Sequence, residues 1–343
     1  MCKTILFFLL VLAVLATAFL YLKKEKKEKT VILGFGGDTM LGRLTNKTID
    51  KKGYAYPWGN IIPLLKSTDI NIVNLETTLT NKTKKVPKVF NFKATPDKVK
   101  TLQMGNIHVV NLANNHVLDF YDSGLIETIE TLDKAKIKHV GAGATIQQAR
   151  KPVILTANGI KIGIIGYTDY PADWAATENK PGTNVIKIGD IQKIKQDIKE
   201  VRPHVDILIA TIHWGPNMRQ HPPKEFQDFA HQMIDAGIDI IHGHSAHIFQ
   251  GIEVYNNKLI MYDTGDFVDD YIVDPVLRND RSFFYKVCVD TSGIKKVKLI
   301  PLLISNMQVN MAEGENIKEA EKKIKKLSAQ FSTKIDNLII KIN

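Results

Sequence analysis

Short apolar runs alternate with segments of helical periodicity along this chain, and six of the runs end on a polar cluster. The clusters are GGDTMLGR (36–43), NLETTL (74–79), ANNHVLDF (113–120), HWGPNMR (213–219), HGHSAH (242–247) and DTGDF (263–267). The pattern predicts strands over 30–36, 71–75, 108–112, 138–140, 206–212 and 238–241. Helices are predicted over 57–66, 96–105, 122–135, 191–201, 223–236 and, at the basic end of the chain, 315–331. Turn residues Asn158-Gly159 and Asn256-Asn257 predict hairpins over 153–168 and 253–262, and 282–304 reads as two further strands.

Strands alternating with helices indicate parallel βαβ units, whose polar ends emerge together at the carboxyl edge of a sheet. The expectation is an α/β domain over 30–310. It is flanked by a membrane-anchor or signal segment at 1–29 and a basic amphipathic tail at 311–343.

If the strand ends share one edge, Asp38, Glu76, Asn115, His213, His244 and His247 meet in one pocket. Carboxylate, amide and imidazole donors of this kind suit a hard or borderline divalent cation. The HGHSAH cluster carries the most weight, because glycine lets neighbouring imidazoles converge. A lone histidine after a strand is usually structural, and His242 fits that bland reading. His213 alone would be weak, and gains value as a fourth imidazole at an equivalent strand end. His116 can act as a general acid beside the metal ligands, with Asp119 accepting its other N–H. The bland reading of Asn114 and Asn115 is a pair of helix-capping residues. Arg43 could clamp a phosphate or carboxylate by its planar fork, or simply pair with a neighbouring helix.

The formal net charge of +10 changes the picture little, since five Lys and two Glu fall within 23–29 and more Lys lie in the tail. No basic stripe interleaved with aromatics runs through the domain, so nucleic acid is not an expected partner. An anionic lipid surface or polymer fits the charge better. Residues 4–22 form an uncharged run of 19, long enough to cross a bilayer, and a single-pass anchor is favoured over a cleaved signal. The lysines after that run would by themselves place the domain in the cytoplasm. Cys2 and Cys288 are too differently placed to suggest a disulfide. There is no P-loop, no G-x-S-x-G elbow and no complete dinucleotide fingerprint.

Taken in order, Gly-Asp, Asn-Leu-Glu, Asn-Asn-His-x-x-Asp, His-Trp-Gly, Gly-His-x-x-His and Gly-Asp-Phe resemble the poly-γ-glutamate capsule-synthesis proteins, relatives of calcineurin-like metallophosphoesterases. The resemblance covers roughly 31–305. It implies a four-layer α/β/β/α sandwich with one or two divalent ions, for which Mn, Zn or Fe would serve. It also implies a membrane-attached domain outside the cytoplasm, acting on polyglutamate or a related anionic envelope polymer by metal-assisted hydrolysis or transfer. The alternative role is a non-catalytic binding or export component of a capsule-synthesis complex. The resemblance makes Asp38, Glu76, Asn115, His213, His244 and His247 the metal positions and His116 the acid/base, which Asp119 would orient. Arg43, Asn114 and Arg219 would hold substrate. Several positions depart from these patterns. Met40 stands where many phosphoesterases have histidine, Leu75-Glu76 replaces a second Gly-Asp, the histidine pair is spaced by two residues, and Gly265-Asp266-Phe267 replaces Gly-Asn-Phe.

Overall fold

Val31–Thr39 (β1) forms a buried strand in the middle of a nine-stranded sheet. The computed structural model describes residues 29–342. On one side of β1 run Ile70–Leu75 (β2), Val109–Asn111 (β3) and Lys138–Val140, all parallel. Six further strands build a second sheet. Its centre is Ile160–Thr168 (β4), Ile207–His213 (β5) and Ile240–His244 (β6), again parallel. A short strand, Asp266–Val268 (β7), then returns to the first sheet and pairs with the end of β1. Arg281–Asp290 (β8), Gly293–Ser305 (β9) and Gln308–Met311 follow in that order on the other side of β1.

Alternation along the strands decides which faces meet. In β5, Ile207 and Ile209 enter one apolar cluster with Leu33, Phe35, Ile72 and Tyr285, which closes the space between the two sheets. Leu208, Ala210 and Ile212 point the other way, onto the helices Gln192–Val201 and Lys224–Asp235 through Ile194, Ile198, Phe229 and Met233. The outer face of the first sheet is covered in the same manner, Val73 and Val110 packing with Leu102, Leu125 and Leu132. Each such fully buried aliphatic chain contributes roughly 1.5–3 kcal/mol. The result is a mixed α/β fold with helices outside and sheets facing inside.

Both expected hairpins form at their asparagine turns, with Asn158, Asn256 and Asn257 in the left-handed region. The helix expected over 57–66 is broken, because Gly59 at φ 41 kinks its first part, Tyr56–Ile61, which then runs into the single turn Ile62–Leu65. Arg43–Lys52 is a helix that the periodicity did not reveal; only Thr45 and Ile49 of it are buried. The basic helix Glu315–Ala329 sets Ala320, Ile324 and Leu327 into the inter-sheet core, and Ile339–Lys341 pairs with β9. Among the described residues no helix is long and apolar enough to cross a membrane. The span expected at 4–22 lies outside them.

Candidate metal centre

Strand register builds this site. Asp38 at the end of β1 is the register partner of Asn74 on β2 and of Asp266 on β7. His213 at the end of β5 is the register partner of His244 at the end of β6. Gly37 makes the first pairing feasible, since a Cβ there would stand 1.7 Å from the Gly265 carbonyl oxygen. β6 then turns sharply, and Ser245 (φ 115) and His247 (φ 59) both take positive φ. Left-handed backbone at non-glycine residues costs about 1–3 kcal/mol each and is found where the surroundings enforce it, often at functional sites.

Asp38 is buried and faces two groups of donors at once. Its Oδ1 lies 3.8 Å from His244 Nδ1 and 3.9 Å from His213 Nδ1, and these two ring nitrogens are 3.1 Å apart. Its Oδ2 lies 3.2 Å from His247 Nδ1, which is 2.9 Å from Asp266 Oδ1. The sets Asp38–His213–His244 and Asp38–His247–Asp266 each have the spacing of a cation site. Two further contacts orient the donors. Asn74 Nδ2 donates to Asp38 Oδ1 at 2.7 Å, and His244 Nε2 meets Thr211 Oγ1 at 3.1 Å. Such outer contacts fix the ring and its tautomer, leaving Nδ1 to point inward.

Glu76 and His116 flank this cluster. His116 Nε2 is 3.7 Å from Glu76 Oε1, while its Nδ1 is 2.6 Å from Asp119 Oδ2. Asp119 is held on every side, accepting also from the Phe92 N–H at 2.7 Å and from Lys88 Nζ at 2.8 Å. Lys88 in addition donates to the Asn115 carbonyl at 2.5 Å. The Phe92 ring meets His116 edge-on, with centroids 4.3 Å apart.

The expected residues that cluster here are Asp38, Glu76, His116, Asp119, His213, His244 and His247, while Asn115 is tied to their edge by its main-chain carbonyl on Lys88. The expected substrate residues stand differently. Asn114 is fully buried and committed, its amide donating to Asn74 and the Leu75 carbonyl and its oxygen accepting from the His116 N–H; it braces the loop. Arg43 pairs with Asp270 at 3.2 Å and lies over Phe90, Phe92 and Tyr271. Arg219 is exposed, and its main-chain carbonyl accepts from Gln250. His242 turns away toward Gly36 and Thr211, as its bland reading expects. Three contributors escaped sequence reasoning: Asp266, Asn74 and Lys88. Asp266 lay within the quoted DTGDF cluster, and only its register with Asp38 reveals its position.

Burial sets the charge states. It pushes His213 down to about 3, and His244 well below its usual range, against the pull of Asp38. Both rings are therefore neutral at pH 7, as ligands must be. Burial lowers His116 too, although Asp119 opposes the shift. His247 is raised instead. Burial would lower it, but Asp266 and Glu76 hold the proton. Burial would raise Asp38, yet the hydrogen bond from His247 keeps it well below the usual carboxylate range. Glu76 is raised by burial and by the charge of Asp38.

Both oxygens of Glu76, Oδ1 of Asn115 and Oδ2 of Asp266 are buried with no hydrogen-bond partner among the described residues. Unpaired buried polar oxygens cost several kcal/mol unless something compensates them. Together with the neutral imidazoles of His213 and His244, such oxygens supply the nitrogen and oxygen donors that borderline divalent cations take. The residues fit a metal.

A probable polyglutamine synthesis accessory protein of Mycobacterium tuberculosis is 31% identical, over 90% of this chain and 95% of its own. The capsule biosynthesis protein CapA of Bacillus anthracis is 29% identical, over 93% of this chain and 80% of its own. The PGA biosynthesis protein CapA of Bacillus subtilis is 32% identical, over 72% and 65%. Among solved structures, a 5'-nucleotidase precursor of Thermus thermophilus is similar with a TM-score of 0.46 and 13% identity, over 87% of this chain and 58% of that one. Residues 32–271, which carry every cluster described above, match the family described as Bacterial capsule synthesis protein PGA_cap, and the chain belongs to that family.

Proposed function

We propose that this protein processes an anionic envelope polymer, polyglutamate or a relative of it, by metal-assisted hydrolysis or transfer in capsule synthesis. Asp38 carries the reading, because its two carboxylate oxygens serve two separate groups of buried donors. The layering of helices and sheets supports a four-layer sandwich of the metallophosphoesterase type. Asp38, His213, His244, His247 and Asp266 would hold one or two divalent ions, with Glu76 and Asn115 as further oxygen donors. A bound cation of this kind polarises a phosphoryl or acyl oxygen and lowers the pKa of water.

The remaining chemistry belongs to the chain. His116 is neutral at rest, so it first accepts a proton on Nε2, the nitrogen facing Glu76, and later returns it to the leaving group. Asp119 keeps Nδ1 protonated throughout, and Lys88 with the Phe92 N–H holds Asp119 in place. Arg43, close to this wall, would hold a substrate anion.

The test is elemental analysis of the purified protein, with turnover assays on a phosphodiester and a γ-glutamyl amide. Retained metal with turnover supports the reading. Retained metal with salt-sensitive polyglutamate binding and no turnover supports the non-catalytic assembly role instead. Residues 4–22 are proposed as the membrane anchor, with the domain outside the cytoplasm. Protease digestion of the domain in intact cells checks that placement.

A further inference from the structure

Beside the candidate centre lies a groove of about 820 Å³ that the proposed chemistry does not use. Lys84, Lys88, Tyr121, Tyr170, Trp174 and Lys180 are among the residues that line it. Two of the cations lie against rings. Lys84 Nζ lies 5.1 Å from the centre of the Tyr121 ring, and Lys88 Nζ lies 5.0 Å from that of Trp174. Tyr170 lines the groove and is 63% exposed. Two carboxylates, Asp122 and Asp173, also line the groove. The adjoining stretch 81–93 carries five Lys and no Asp or Glu, so the field over the entrance is cationic. At the inner end, Lys88 touches Asp119 and stands 3.5 Å from His116 Nδ1. The groove therefore runs up to the residue proposed to move the proton.

We propose that this groove is a subsite for a carboxylate-bearing chain with apolar spacing between its charges, the part of the polymer that continues beyond the reacting link. The inference rests on the polymer-processing reading above and adds the path the substrate takes. Lysine ammonium groups pair with the carboxylates, and the ring faces of Trp174 and Tyr170 cover the intervening methylene groups. A polyphosphate chain offers the same charge but no apolar stretch to lie on the rings, so the aromatic lining favours the carboxylate chain.

The test uses the full chain with two probes, a short γ-linked glutamate oligomer and polyphosphate of matched charge. Binding is followed by calorimetry at several salt concentrations and by tryptophan emission. The glutamate oligomer should bind and shift an emission signal that the Trp174→Phe variant lacks. Its affinity should fall about tenfold in the Lys84→Gln/Lys180→Gln double variant, with a shallower salt dependence. Metal content and thermal midpoint should not move in that variant. An oligomer that fails to bind, or binds the double variant as tightly as wild type, overturns the subsite. Polyphosphate binding as tightly, with no response from Trp174, overturns the aromatic part of it. A protein that holds no metal and turns nothing over, yet binds the oligomer through Lys84 and Lys180, would refute the catalytic reading and leave the subsite standing.

Discussion

His213 and His244 sit opposite one another on adjacent parallel strands, and their Nδ1 atoms approach to 3.1 Å. Two neutral imidazoles cannot each aim a lone pair at the other without cost. A cation beside both nitrogens and Asp38 removes that conflict.

Asp38 divides the centre in two, so the halves should be separable. Replacing Asp266 with Ala removes a donor from the His247 side and leaves His213 and His244 in place. Metal stoichiometry measured after dialysis should drop by one ion relative to wild type. An unchanged stoichiometry would mean that Asp266 only holds His247.

Metal uptake should depend on pH in a defined direction. His247 is held protonated by Asp266 and Glu76 and must lose that proton to bind an ion. Affinity should therefore rise with pH and uptake should release protons. Calorimetry in two buffers of different ionisation enthalpy counts those protons, and a count of zero would contradict the assignment of His247.

Gly37 admits no side chain because of the Gly265 carbonyl. Gly37→Ala should destabilise the fold by about 1–3 kcal/mol, as overpacked sites do, and should lower metal content by parting Asp38 from Asp266. Denaturant unfolding alongside elemental analysis reads both effects.

Asp119→Asn should lower turnover by about 100-fold or more while leaving bound metal unchanged, since it removes the partner that fixes the His116 tautomer. Equal losses of metal and turnover would instead make Asp119 a structural residue of the centre.

Away from the centre, burial with nearby Arg281 pushes Lys323 down to about 8, against an ordinary value near 10.5. The folded state thus disfavours the charged form. Between these two values the unfolded chain binds more protons, so stability increases as pH rises through this window. Lys323→Met should be more stable than wild type at pH 7, by about 1 kcal/mol, and the advantage should shrink at pH 10. Thermal midpoints at the two pH values decide it.

Much of this was legible in the chain because parallel strands put their ends on one edge. Asp38, His213 and His244 needed only that rule to be grouped. Asp266 was not legible, since its place depends on β7 leaving the second sheet to pair with β1. Lys88 sits in a loop without periodicity, and only folding brings it against Asp119. Asn114 looked available to substrate, yet its amide is consumed by Asn74 and Leu75, contacts that no local pattern announces. The helix Arg43–Lys52 was missed because a polar surface segment with two buried residues carries too weak a stripe.

The most direct measurement is the divalent metal content of purified wild-type protein beside His244→Ala and Asp38→Asn. Wild type should retain at least one equivalent through dialysis and both variants should lose it while remaining folded. Metal held equally by all three, or by none, would contradict a cation centre built on Asp38.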